Sequence, residues 1–139
     1  MYSGEQMDFS EFDTIWREPV TFEVEVIEVK SACRAEHKEG ERFTFSWRTP
    51  EGMCGEAFVG MYPVIFSLRV GGNMKLLGSE HENIRVCNCP GRVVQFKIEA
   101  VEQCPLCGNR NDLEPCEILI EETPYTFKIC PKCRVKYEK

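Results

Sequence analysis

The sequence predicts an α+β fold: a small antiparallel, barrel-like sheet against one kinked helix, followed by a C-terminal zinc ribbon. Three observations carry this expectation. Segments such as TFEVEVIEVK and ERFTFSW alternate apolar and polar residues, the period of a strand with one buried face. Phe58, Met61, Tyr62, Ile65 and Leu68 form one apolar helical stripe. The last third of the chain holds two CxxC pairs separated by a second alternating segment.

A chain of 139 residues has room for one core and a small appended module. The expected division is an N-terminal arm over 1–18, an α+β core over 19–102 and a ribbon module over 103–139. With 42% hydrophobic and 29% charged residues, wholesale disorder is excluded. The net charge of −6 argues against nucleic acid and against a membrane surface as partners, because both attract local positive charge. The closing KCRVKYEK is basic and is read as a solvated terminal face. The chain opens without a charged-then-apolar leader and contains no membrane-length apolar run, so a cytoplasmic protein is expected. In that compartment nine cysteines point to metal binding or thiol chemistry rather than to a disulfide framework, which an odd count also disfavours.

In order along the chain, Phe9, Phe12 and Trp16 are spaced by three and four and give the arm a short apolar face. Phe22, Val24 and Val26 define the first core strand. A polar loop with Gly40 at its turn leads to a second strand, through Phe43, Phe45 and Trp47. Thr49 and Pro50 resemble a helix start, although Gly52 and Gly55 delay it, so the helix is expected over about 54–68, kinked at Pro63. VGGNMKLLGSEHE reads as turns and loop, and NIRVC and GRVVQFKIEAVE read as two further strands around the CNCPG corner.

Cys104, Cys107, Cys130 and Cys133 are the first candidate site. Two residues between cysteines let one tight turn present both sulfurs to one ion, and two such turns complete a tetrahedron. CEILIEE and YTFKI read as a hairpin, turning at Glu122, Thr123 and Pro124, that brings the pairs together. Zinc suits four thiolates and would add on the order of 10 kcal/mol to a module too small to bury much surface. Iron is the rival, since CPLCG resembles a rubredoxin knuckle, but CPKCR lacks the glycine of that pattern. Cys116, between the pairs, reads as a small buried residue.

A second candidate set comprises Cys33, His37, Cys54, Cys87 and Cys89. If the first loop, the helix start and the CNCPG corner meet at one end of the sheet, these soft ligands could hold zinc, iron or an iron-sulfur cluster. Alternatively Cys54, in the first helical turn, is a reactive thiolate with His37 as its base, or the cysteines are packing residues. His81, in a charged loop, reads as solvated.

HKEGERF, PEGMCGEAF, MYPVIFSL, GG and CNCPG, in that order, resemble a family of small, uncharacterised bacterial and archaeal Cys/His-containing proteins with the pattern CxxGHKxGDxF, PxGxCGxAF, YPxIxxLxxGG and CPD. The match spans roughly Thr21 to Glu102. The resemblance implies that Cys33, His37, Cys54 and Cys89 matter together, with Lys38, Gly40, Gly55, Tyr62, Pro63, Gly71 and Gly72. Glu36 stands where glycine is common, Glu41 replaces an aspartate, and Gly91 replaces the acid after Pro90. The resemblance groups these residues without naming a substrate.

The expected function is therefore a zinc-binding accessory or interaction protein whose partner is a larger protein or a second copy of the chain. The alternatives are an enzyme using Cys54 with His37 or an open metal position, and a rubredoxin-like iron electron carrier.

Overall fold

Phe22, Val24 and Val26 are buried, and the glutamates between them face the other way, as the alternation requires. In the computed structural model, which describes residues 5–6, 19–120 and 122–137, these residues lie on β2. The described strands are β1 (Glu5–Gln6), β2 (Val20–Val29), β3 (Arg42–Phe45), β4 (Ile84–Asn88), β5 (Val94–Glu102), β6 (Glu114–Ile120) and β7 (Thr123–Ile129). The helices are α1 (Gly55–Arg69), a 3-10 turn (Met74–Leu77) and α2 (Pro131–Tyr137). The expected apolar face of the arm, Phe9, Phe12 and Trp16, lies outside the described residues.

The chain divides into two compact units: Val20–Val101 forms one, and β1 with Glu102–Lys139 belongs to the other. In the first unit the sheet order is β3-β2-β5-β4. Phe22 pairs with Phe45 and Val86 with Lys97 in antiparallel ladders. The Thr21 hydroxyl donates to Val101 O at 3.3 Å and the Lys30 N–H to Val93 O at 2.8 Å, so β2 and β5 also run antiparallel. The order is linear, with β3 and β4 at its ends, and no ladder among the described residues joins those ends into the expected barrel.

One sheet face, including Phe22, Val24, Phe43, Phe96 and Ile98, packs with Ala57, Met61, Ile65 and Leu68 of α1. Met74 of the 3-10 turn completes this core from a stretch that the sequence assigned to loop. On the opposite face Glu25 accepts from Arg42 at 3.2 Å and lies 3.7 Å from Lys97.

The helix starts past Thr49 and Pro50, at Gly55, close to the expected start. Cys54 is its N-terminal cap, because Gly52, at φ 84°, turns the chain in a left-handed conformation that no helix contains. α1 continues through Pro63, which forfeits one hydrogen bond without ending it. It stops where Gly71, at φ 86°, donates to Leu68 O and Gly72 donates to Ser67 O, a Schellman closure. Trp47 lies beyond β3 and is 65% exposed, its ring 5.3 Å from the Arg69 guanidinium instead of in the core.

In the second unit β6 and β7 form an antiparallel hairpin, and β1 adds in parallel beside Ile118 and Leu119. Only two residues separate Ile120 from its partner Thr123, and Glu122 takes φ 68°. The turn therefore closes before Thr123 and Pro124, contrary to the sequence expectation. A two-residue turn makes its closing pair hydrogen-bonded, so by alternation Leu119–Pro124 is a non-hydrogen-bonded pair. The missing N–H of Pro124 then faces the outer edge, where no ladder needs it.

Candidate metal centre

The first cysteine pair is built by a backbone turn. Gly108 donates to Cys104 O at 2.8 Å and Cys104 donates to Asn109 O at 2.8 Å. Gly108 takes φ 84°, which its lack of a Cβ permits, and the Asn109 N–H then points at Cys107 Sγ at 3.4 Å.

The second pair comes from a helix start instead of a second β-turn, and in this the unit differs from a simple two-knuckle ribbon. Cys130 immediately precedes α2, Pro131 opens it and Cys133 lies in its first turn. Arg134 donates to Cys130 O at 2.9 Å, closing that turn. Proline at the first helical position was a legible signal of α2, since its missing N–H would be unpaired there in any residue. The hairpin connects the two halves: Glu114 opposes Ile129, which sets Cys130 beside the loop that follows Cys107.

The four sulfurs lie within 4.8 Å of one another, with Cys107 Sγ 3.5 Å from Cys130 Sγ. A tetrahedron with metal–sulfur bonds of about 2.3 Å has sulfur–sulfur edges of about 3.8 Å, whereas a disulfide requires about 2.05 Å. The group could hold a metal ion, and its spacing matches ligation rather than covalent pairing. Cys104 and Cys130 are fully buried, Cys133 is half-buried and Cys107 is exposed.

Gathering four thiols perturbs them. Burial raises the Cys130 thiol, but the Cys133 N–H and the hydrogen bonds from the neighbouring thiols outweigh it and bring the group down to about 7. Burial and hydrogen bonding to Cys107 and Cys130 push Cys133 well up, and burial raises Cys107 as well. One thiolate among four sulfurs is stabilised and further ionisation is resisted, the electrostatic condition that a cation relieves.

Among the residues whose burial is described, Cys104, Pro105, Leu106, Cys116, Ile129 and Cys130 are buried around the site. Three of these six are cysteines, so sulfur makes up half of the buried cluster among the described residues. Cys116 is among them as a small buried strand residue.

The second candidate set is distributed differently. Among the described residues the four-cysteine group is the one set of three or more His, Cys, Asp or Glu side chains with ligand atoms this close. His37 is buried, its ring edge-on to Phe43 and Phe96. Its Nε2 accepts the Cys54 backbone N–H at 3.0 Å, which places the ring proton on Nδ1, 2.7 Å from Glu41 Oε1. In this arrangement no lone pair of the ring is left for a metal or for a thiol proton. His37 thus anchors the start of α1 to the preceding loop.

Cys33, Cys54, Cys87 and Cys89 are half-buried and pack against the edge of the core. Cys87 opposes Phe96 in the β4–β5 ladder, and burial raises its thiol against the opposing pull of Arg85. Cys89 Sγ accepts the N–H groups of Val93 and Val94, each at 3.3 Å. Burial raises that thiol, but the backbone donors from Gly91 through Val94 outweigh it and lower it. These donors come from the Pro90–Gly91 corner, so the sequence marked the turn without revealing that it folds back onto sulfur.

No family model, curated protein or solved structure matches this chain. What the site can do therefore follows from its own donor atoms. Among the described residues no helix is long and apolar enough to cross a membrane.

Proposed function

We propose that this chain is a zinc-binding protein whose C-terminal unit folds around one structural ion, and that it serves as an accessory or interaction subunit. The observation that carries this reading is the convergence of Cys104, Cys107, Cys130 and Cys133. Four protein thiolates fill a tetrahedral zinc shell, leaving no position for water or substrate, which is the arrangement of a structural ion. Cys104 and Cys130 are buried beside Pro105, Leu106 and Ile129, so an ion held by the four sulfurs would add its binding free energy to a small apolar cluster. Zinc is favoured over iron because the second pair is set in a helix start and does not repeat the glycine knuckle of a rubredoxin-like site.

Elemental analysis of protein purified without oxygen tests this. One zinc per chain, lost when Cys104 and Cys107 are both changed to serine, is the expected result. A coloured, redox-active protein carrying iron at the same stoichiometry overturns the zinc assignment. Metal that survives the double change overturns the four-sulfur assignment and would have to be sought at Cys33, Cys54, Cys87 and Cys89, which do not converge as this group does. The backbone donors on Cys89 favour thiolate character in that set, so fast alkylation there in the zinc-loaded protein would point to thiol chemistry.

A further inference from the structure

From Ala57 through Leu68 the chain contains no charged residue. A helix that is apolar all round is normally covered on every side. Among the described residues of its own unit, α1 is covered on one side, by the sheet, and its outer stripe is exposed: Val59 is 71% exposed, Tyr62 41%, Phe66 54% and the capping Val70 67%. Steps of three, four and four residues hold these side chains to one narrow face, at 100° per residue. Tyr62 and Phe66 already touch, ring centroids 6.4 Å apart.

We propose that this stripe is the contact through which two copies of the chain associate, α1 packing antiparallel against α1 about a two-fold axis. This deepens the interaction reading above and leaves the zinc reading independent of it. The reason for choosing a second copy lies in the order of the residues. Read in either direction, the stripe is valine, aromatic, aromatic, valine, which is the self-complementarity that a two-fold interface requires. With the axis between Tyr62 and Phe66, Val59 of one copy meets Val70 of the other, and Tyr62 meets Phe66.

The charges outside the stripe agree. Glu56, exposed one turn before Val59, falls opposite the partner segment carrying Asn73 and the exposed Lys75. The opposed helices also set unlike dipole ends together. The four stripe side chains offer on the order of 400 Å² per copy. Leu76 and Leu77, both mostly exposed just beyond the helix, raise this toward roughly 600 Å². A standard interface buries about 800 Å² per partner, so the dimer is a small, reversible one.

Sedimentation velocity of the zinc-loaded full chain, from about 5 to about 500 µM, tests the proposal with zinc content measured in parallel. The expected result is a mean mass rising from 16.1 kDa toward twice that value. Phe66→Lys should hold it at 16.1 kDa throughout, with unchanged circular dichroism and zinc, because Phe66 is an exposed residue. Glu56→Lys should weaken association about three- to tenfold, and adding Lys75→Glu should restore it. A chain that stays monomeric at every concentration, or a dimer that Phe66→Lys leaves intact, overturns the contact. Failure of the double charge reversal to rescue overturns its antiparallel register.

Discussion

The Nε2 of His37 accepts the backbone N–H of Cys54 at 3.0 Å, joining a buried imidazole to the residue that caps α1. His37→Ala removes that acceptor, strands the Cys54 N–H and opens space between Phe43 and Phe96. The expected loss is about 2–4 kcal/mol. Urea unfolding measures it. A loss within about 0.5 kcal/mol would mean that the imidazole does not hold the helix start.

Removing the metal should unfold the C-terminal unit selectively. With a chelator in excess, amide resonances from about Cys104 to Cys133 are expected to collapse toward random-coil positions, while those of Val20–Val101 keep their dispersion. Cys130→Ser should reproduce the chelated spectrum. Cys116→Ser, which changes a buried residue outside the ligand set, should retain one metal per chain.

Metal affinity should fall as pH falls, since protons compete for the same sulfurs. Cys107 and Cys133 are both raised, so at pH 8 each gives up a proton on binding and the logarithm of affinity rises at least two units per pH unit. Cys130, at about 7, is largely ionised at pH 8 but protonated below 7, so the slope steepens by about one unit on the acid side. Chelator competition across pH 6 to 8.5 reads this slope, and a flat profile would exclude thiolate ligation.

Two backbone positions should respond in opposite directions. Glu36 holds φ 59°, a left-handed conformation that costs a side chain about 1 kcal/mol, so Glu36→Gly should stabilise the first unit by up to that amount. At Gly72 a Cβ would lie 2.8 Å from Ser67 O, a backbone atom held in the helix closure. Gly72→Ala should therefore cost about 1–3 kcal/mol. Thermal unfolding of both variants checks the signs.

At φ 59° Glu36 occupies a left-handed turn position that suits glycine better than an ordinary side chain. The sequence could show such a turn but not which atoms it brings into contact. That distinction recurs with the cysteines. Two CxxC pairs and a hairpin between them are local features, so Cys104, Cys107, Cys130 and Cys133 could be grouped before any coordinates. Cys33, Cys54 and the Cys87–Cys89 pair are joined only by long, irregular stretches of chain, and spacing alone could not say how near they come.

By itself the amino-acid order determined the strands, because alternation at period two is enforced wherever one face is buried, and it determined the two cysteine pairs, because a two-residue gap fixes both sulfurs to one turn. Tertiary structure alone decided that Trp47 leaves the sheet, that Met74 enters the core, and that His37 turns both nitrogens inward. It also decided that Val59, Tyr62 and Phe66 of α1 face away from the sheet. Each of these depends on which distant segment arrives beside the residue, and burial and hydrogen-bond partners are properties of that arrival.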